Sequence, residues 1–197
     1  MFKTVDIRKH LNHRVVYERC HKVSDKEESG ISNQIIYEDT FWGFGKEVIL
    51  RGIPVQFYRR DHYDNFILQN QEIEINESGV QNIYLLGFAE WGFFFDKLTV
   101  RFRDAAATYD FSFYDWWWKP VNRAIKKERA INFDPKCRLL GYMKANDRKR
   151  KRRLYYYRIP INRAFVESLA FSDNQFIHIM GIVLETANEK ESGGQHG

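Results

Sequence analysis

The sequence is 197 residues long, which suits a single domain, because all-β domains reach about 200 to 250 residues before they divide. Hydrophobic residues make up 44% of the chain and aromatic residues 16%, and this composition excludes a chain that is disordered throughout. The formal net charge is +5, but the basic run from Arg148 to Arg153 supplies six positive charges and leaves −1 for the rest. The basicity is therefore local, and it does not by itself indicate a nucleic-acid-binding protein.

Short segments in which apolar and polar residues alternate recur along the first half of the chain and predict β-strands. In chain order these segments lie at 15–20, 34–38, 47–51, 54–58 and 71–75. Glu77-Ser78-Gly79 then predicts a turn, and the apolar run NIYLLGF at 82–88 follows it. The segments on either side of this turn are expected to form an antiparallel hairpin.

The same alternation continues through LTVRFR at 98–103 and YDFSFY at 109–114. Three consecutive tryptophans come next, directly after Asp115, where the strand is expected to end or to bulge because a carboxylate would otherwise lie on the apolar face. If the alternation continued, Trp117 would point inward, while Trp116 and Trp118 would point outward. We interpret the triplet as mainly structural, with its rings closing one end of the core.

The last part of the chain predicts further strands at 154–159, 166–171 and 176–185. Residues 122–130 are expected to form one turn of helix or the approach to a strand, and residues 145–153 an exposed charged loop. The polar, glycine-rich tail at 189–197 is expected to be disordered. The pattern as a whole predicts an all-β fold, a two-sheet antiparallel β-sandwich of jelly-roll type, with one domain over residues 1–188.

Several segments follow one another in a recognisable order. They are VDIRKHLN, IPVQF, DNFILQNQEIEI, IYLLGFAEWG, LTVRFRD, FSFYDWW, YYYRIPIN, VESLAFSDN and FIHIMGIVLE. This order resembles the galactose-binding-like β-sandwich modules that are appended to secreted glycoside hydrolases of the α-mannosidase and α-fucosidase type. The resemblance implies a non-catalytic sugar-binding module, with a separate glycoside hydrolase or another protein as a possible partner.

The chain departs from that family at three points. The glycine-rich segment that follows the family's opening strand is replaced by residues 33–47, and the small residues of one family strand are replaced by the bulkier FAEWG at 88–92. The relatives are also parts of exported enzymes, whereas this sequence opens without a signal peptide and contains no membrane span, so a cytoplasmic location is expected by default. The resemblance therefore predicts the fold more strongly than the ligand.

Candidate sugar-binding residues combine aromatic rings, which stack on the C–H face of a pyranose, with polar groups that bind hydroxyls. Trp42 and Trp91 lie beside glycines in loop-like contexts, and the segment 59–65 has the length of a connecting loop. The candidate ligand-binding residues are Trp42, Arg59, Asp61, His62, Glu90, Trp91, Trp116 and Trp118.

Signals for catalysis and for metal binding are weak. The six histidines are scattered without metal-ligand spacing, and no pair of carboxylates can be assigned to glycoside hydrolysis, so neither a catalytic residue nor a metal ligand is predicted. Asp61, Asp64 and Asn65 offer oxygen ligands, but calcium needs six to eight, so a structural calcium ion is the less favoured interpretation. Cys20 and Cys137 are taken to be free thiols.

Two other functions stay open. The basic residues Arg148, Lys149, Arg150, Lys151, Arg152 and Arg153, followed by three tyrosines, are typical of polyanion binding, to either an acidic glycan or nucleic acid, with nucleic acid the less favoured partner. Alternatively, exposed tryptophans could anchor a protein partner in an interaction module.

Overall fold

The computed structural model describes residues 1–18, 36–116, 136–144 and 151–187. These residues form twelve β-strands and two short 3₁₀ turns, at Arg8–His10 and Glu38–Thr40. The strands are β1 (Phe2–Thr4), β2 (Val16–Tyr17), β3 (Ile36–Tyr37), β4 (Glu47–Leu50), β5 (Ile53–Gln56), β6 (Phe66–Gln69), β7 (Glu72–Ala89), β8 (Phe94–Phe102), β9 (Ala106–Phe113), β10 (Cys137–Lys144), β11 (Lys151–Phe171) and β12 (Asp173–Thr186).

Eight of these strands form one large antiparallel sheet. Its order is β1-β12-β7-β11-β8-β9, with β10 added beside β11 and β6 beside β12. The strands β4 and β5 form a small antiparallel sheet, and β2 and β3 a small parallel one. The all-β prediction is confirmed, and the arrangement of large and small sheets is consistent with a β-sandwich.

Two unusually long strands replace two pairs of predicted elements. β7 runs through the predicted turn at Glu77-Ser78-Gly79 without reversing, so the predicted hairpin is wrong. Asn76 and Gly79 have positive φ values of 50° and 66°, and the register against β11 shifts in this region. The turn-forming residues therefore bulge the strand, because a local positive φ increases its bend and twist without ending it.

β11 likewise joins the two segments predicted at 154–159 and 166–171, and Asn162, with φ 61°, lies between them. The strand begins at Lys151, and Arg152 is completely buried. The expectation of an exposed loop is therefore wrong for residues 151–153, because strand pairing with β10 extends into the basic run.

The two long strands, β7 and β11, pair with each other along most of their length. The first half of β7 pairs with the second half of β11, as in Ile73 with Leu169, and the second half of β7 pairs with the first half of β11, as in Leu85 with Tyr157. The ring of Phe111 in β9 contacts both Tyr157 and Phe171, with ring centroids 6.3 Å apart in each case. These edge-to-face contacts connect the two halves of β11 through one ring.

The small β4-β5 sheet covers part of the outer surface of the large sheet. A Cβ placed on Gly181 would lie 3.9 Å from Val55 and 3.8 Å from Leu86, so Val55 packs directly over β12 and β7. The ring of Trp42 lies against Gly141 of β10, where a Cβ would approach the ring to 2.5 Å. Val55 and Trp42 therefore cover two parts of this surface, fully at Leu86 and partly at Gly141.

Several expectations lie outside the described residues. They are the helical turn at 122–130, the rings of Trp117 and Trp118, residues 145–150, Cys20 and the tail at 189–197. Cys137 is buried. Within the described ranges, no helix has the length and apolar character needed to cross a membrane.

Candidate functional site

The turn between β7 and β8 presents the most exposed indole ring of the described residues. Trp91 is 66% exposed, and its backbone lies in the left-handed region with φ 68°. This conformation costs a bulky side chain on the order of 1 to 2 kcal/mol, so it persists only where neighbouring structure fixes it.

Three backbone hydrogen bonds fix the residues before Trp91. The Glu90 N–H donates to the Phe176 carbonyl at 2.9 Å, and the Ala89 N–H donates to the Tyr114 carbonyl at 3.0 Å. The Trp116 N–H donates to the Ala89 carbonyl, also at 3.0 Å. The start of β12 and the segment after β9 therefore brace the turn from two sides.

Three phenylalanines follow Gly92 at the start of β8, close to Trp91 in the sequence. Phe95 is 59% exposed, and its ring centroid is 4.4 Å from that of Phe93. Phe93 in turn stacks on Tyr114 at 4.6 Å, and Phe94 stacks on Phe176 at 4.8 Å. We call Trp91, Phe93 and Phe95 the Trp91 patch. The sequence predicted Trp91 as a site residue but not the phenylalanines, because the alternation of apolar and polar residues that predicts β8 begins only at Leu98.

A buried polar cluster lies beside this turn. His13 and His178 both approach Asn65 Oδ1 through Nδ1, at 3.1 and 3.0 Å, and their ring centroids are 4.8 Å apart. Asn65 Nδ2 donates to the His13 carbonyl and to Asp64 Oδ1. We call His13, Asp64, Asn65 and His178 the Asn65 cluster.

The bonds of the Asn65 amide fix the tautomer of both histidines. Since its nitrogen donates to two oxygens, Oδ1 is the acceptor for both rings, and each histidine must carry its proton on Nδ1. Nε2 of His178 lies 3.9 Å from a carboxylate oxygen of Glu90, which is too long for a hydrogen bond. Asp64 accepts the N–H groups of Val15 and Val16, and so ties the N-terminal segment to the start of β6.

Trp116 belongs to the interior beside this cluster. Its ring stacks on Phe88 at 4.3 Å, and Phe88 stacks on His178 at 4.6 Å on its other face. Trp116 is only 2% exposed, so the outward orientation expected from strand alternation is wrong. The reason is that β9 ends at Phe113, and the alternation of side chains ends with it. For Trp116, the structural interpretation of the triplet is borne out.

Burial lowers the pKa values of the two histidines of the Asn65 cluster and raises that of Asp64. Desolvation lowers the pKa of His13 to about 4 and holds that of His178 well below its usual range. Desolvation also raises the pKa of Asp64 to about 6, although its hydrogen bonds with Asn65, Val16 and Val15 oppose this shift. Both histidines are therefore neutral at pH 7.

We expect the protein to lose about 2 kcal/mol of unfolding free energy between pH 7 and pH 5. The unfolded chain binds more protons at His13 and His178 than the native chain, so their contribution is complete above pH 6.5 and falls as the pH drops toward 4. Asp64 acts oppositely, because its raised pKa adds stability at low pH that is lost as the pH rises through 6. Between pH 7 and pH 5, the stability lost through the two histidines is larger than the stability gained through Asp64.

Urea unfolding at a series of pH values measures this dependence. His13→Gln should flatten the curve between pH 5 and 7, whereas Gln175→Ala, which removes an exposed amide and no titratable group, should leave it unchanged. A flat curve for the unaltered protein would contradict the assignment of two neutral buried histidines.

The other predicted site residues do not gather around Trp91. Trp42 stacks on Phe57 at 5.7 Å and is partly covered. Arg59 pairs with Glu38 at 3.1 Å and donates to the Val16 carbonyl, so its contacts connect segments of the fold.

Asp61 and His62 are exposed in a tight turn, where Asp61 has φ 55°. Glu90 lies next to Trp91 in the sequence but is 1% exposed. Of the predicted residues that the structure describes, Trp91 alone presents an exposed indole ring.

The possible calcium ligands also differ in their exposure and in the hydrogen bonds that they make. Asp64 is buried and uses its carboxylate for backbone N–H groups, whereas Asp61 faces solvent. Over the described ranges, no three or more His, Cys, Asp or Glu side chains come together in a way that could hold a metal ion.

No protein-family model matches the sequence, and no curated protein is similar to it at a significant level.

Proposed function

We propose that the protein binds carbohydrate without catalysing a reaction, and that Trp91 is the ring on which the sugar stacks. The observation that carries this proposal is the exposure of Trp91, 66%, in a left-handed backbone conformation that its neighbours hold in place. A strained backbone conformation costs free energy that the surrounding structure must offset. Such conformations cluster at ligand sites.

A ring held in this way suits a pyranose. The flat face of an indole covers the C–H face of a sugar, and the fixed backbone means that little conformational freedom is lost on binding. Gln175 is exposed on one side of the turn, and Asp115 is partly exposed on the other. These amide and carboxylate groups are of the type that pairs with sugar hydroxyls, each of which needs a partner once it leaves water.

We expect Trp91→Ala to weaken sugar binding about tenfold or more, which is the usual scale for removing a central aromatic contact. A glycan array would identify a ligand, and isothermal titration calorimetry would compare its affinity for the variants. Ile49→Ala serves as the control, since Ile49 is 72% exposed at a different site.

Stability gives a second readout for the same position. Trp91→Gly should lose sugar binding while keeping or raising the free energy of unfolding, because glycine accepts the positive φ without strain. Absence of binding to every glycan on the array would remove the proposal. An affinity that Trp91→Ala leaves unchanged would move the site elsewhere.

A second candidate function is that of a protein-interaction module, and the exposure of Phe95 favours it. Phe95 is 59% exposed and contacts Phe93, so the Trp91 patch is more apolar than a sugar site requires. Light scattering over a concentration series would detect association between copies of the chain. Phe95→Ser should abolish any such association and leave sugar binding intact.

A further inference from the structure

A second group of polar side chains forms a connected network on the large sheet, across β7, β11 and β12. Arg158 Nε donates to Asn82 Oδ1 at 2.9 Å, and Asn82 Nδ2 donates to Glu185 Oε2 at 2.7 Å. The Tyr84 hydroxyl donates to the same Glu185 oxygen at 2.8 Å. We call these four residues the Arg158 network. Tyr84 is directly opposite Arg158, and Asn82 is directly opposite Glu185, so strand register holds all four together.

The side chains of the network project from the face of the sheet opposite that of Ile83, Leu85 and Ile159, and this face also carries the buried Leu86. Ile83, Leu85 and Ile159 alternate with its members and are at most 2% exposed, so their side chains fill the interior. On the network's own face, Arg158 is exposed and Glu185 partly exposed. Asn82 and Tyr84 are 5% and 8% exposed and lie between them. Asn82 and Tyr84 therefore form a nearly buried polar layer, and the charged group of Arg158 lies at its surface.

A row of aromatic rings crosses the same face. The ring centroid of Tyr84 is 6.0 Å from that of Phe2 on one side and 6.0 Å from that of Tyr156 on the other. Tyr156 is partly exposed, and it lies directly opposite the exposed Arg138 of β10. The row therefore places an accessible tyrosine ring between two exposed arginines, Arg138 and Arg158.

The charge of Arg158 is not neutralised by a contact within the described part of the chain. No carboxylate there lies within ion-pair distance of its guanidinium, whose one hydrogen-bond partner is the neutral amide of Asn82. Glu185 Oε2 accepts hydrogen bonds from Asn82 and Tyr84, whereas Glu185 Oε1 accepts none from the described residues. Burial raises the pKa of Tyr84 to about 12, and the bond to Glu185 acts in the same direction, so the hydroxyl remains a donor. The face thus offers one fixed cation and one carboxylate oxygen.

We propose that this face binds an acidic sugar, a pyranose that bears one carboxylate or sulfate group. The guanidinium of Arg158 matches the two oxygens of such a group in a bidentate contact. Tyr156 covers the C–H face of the ring, and Glu185 Oε1 accepts a hydrogen bond from a hydroxyl group of the same or the next sugar unit. This site is separate from the Trp91 patch and does not depend on sugar binding there.

The presence of Glu185 decides between an acidic sugar and nucleic acid. The oxygens of a phosphodiester are all hydrogen-bond acceptors, so a phosphate next to the Glu185 carboxylate would repel it and could donate no hydrogen bond to it. Each unit of a sugar acid carries, beside its one charged group, hydroxyl groups that donate hydrogen bonds. A face that presents both Arg158 and Glu185 therefore fits a ligand that carries both an anion and hydrogen-bond donors.

The test uses galacturonic acid tetramer as the probe and the whole chain as the protein. Isothermal titration calorimetry should detect binding to the tetramer and much weaker binding to its methyl ester, which has the same rings without the charges. Arg158→Gln should weaken binding about tenfold or more. The control is Arg101→Gln, since Arg101 is an exposed arginine that pairs with Glu72 on another part of the sheet.

Further variants keep the outcome interpretable. Arg158→Lys keeps the charge but loses the bidentate contact, and we expect an intermediate affinity. Arg158→Gln should leave unchanged the Trp91-dependent binding of any neutral glycan that the array identifies, so this site and the Trp91 site can fail separately. The proposal is overturned if the tetramer does not bind, if the methyl ester binds as tightly, or if Arg158→Gln has no effect. Tighter binding of a single-stranded oligonucleotide at Arg158 would also overturn it, since the partner would then be a nucleic acid.

Discussion

Asn65→Ala is expected to lower the free energy of unfolding by about 4 kcal/mol, the largest effect of any single change considered for this protein. The Asn65 amide accepts from His13 and His178 and donates to the His13 carbonyl and Asp64, all within the interior. Its removal leaves two buried imidazole N–H groups without an acceptor. Each such group costs about 1 to 3 kcal/mol, and the lost side chain also leaves a cavity.

Urea denaturation followed by far-ultraviolet circular dichroism measures this effect. Gln175→Ala is the matched control, because it removes an exposed amide from β12 and should change stability by less than about 0.5 kcal/mol. Asn65→Ala should also change the pH dependence, since the histidine tautomers are no longer fixed by a shared acceptor. A loss below about 1 kcal/mol would contradict a central role of the Asn65 side chain in the stability of the cluster.

Gly87→Ala is expected to cost about 3 kcal/mol, at the upper end of the usual range for overpacking a core. A Cβ at Gly87 would lie 2.1 Å from the backbone carbonyl oxygen of His178 and 3.3 Å from the ring of Phe113. The backbone of β12 cannot yield as a flexible side chain does. The register between β7 and β12 already shifts near this point, between Ile179 and Gly181.

Gly181→Ala provides the control within the same pair of strands. Its Cβ would meet Leu86 and Val55 at ordinary contact distances of 3.8 to 3.9 Å, so we expect a change within about 1 kcal/mol. Equal effects for the two substitutions, measured by thermal or urea unfolding, would contradict a specific close approach at Gly87.

The local alternation of apolar and polar residues was sufficient to predict the fold class and to identify most of the strands. Alternation in LTVRFR and YDFSFY predicted strands that appear as β8 and β9, with the apolar faces inward. The same pattern failed at Glu77-Ser78-Gly79, where residues that favour a turn form a bulge instead. Turn chemistry fixes a local positive φ, but whether the chain reverses depends on which strands pair on either side.

The candidate sites divide in a similar way. The sequence identified Trp91, because a tryptophan beside glycine between two strands indicates a loop, and the ring is exposed. It missed the Asn65 cluster and the Arg158 network, because their members are far apart along the chain. Asn82 and Glu185, for example, are separated by 103 positions and meet only through the register of β7 with β12.

By itself the sequence determined that this is an all-β protein with a large aromatic core, since side-chain alternation and composition depend only on neighbouring residues. The tertiary structure decided which rings face solvent, which charges are buried and which polar groups meet. Arg152 shows the difference, because it lies in a run of six basic residues and is nevertheless completely buried. Burial depends on what packs over a strand from elsewhere in the chain, and the residues beside it in the sequence do not contain that information.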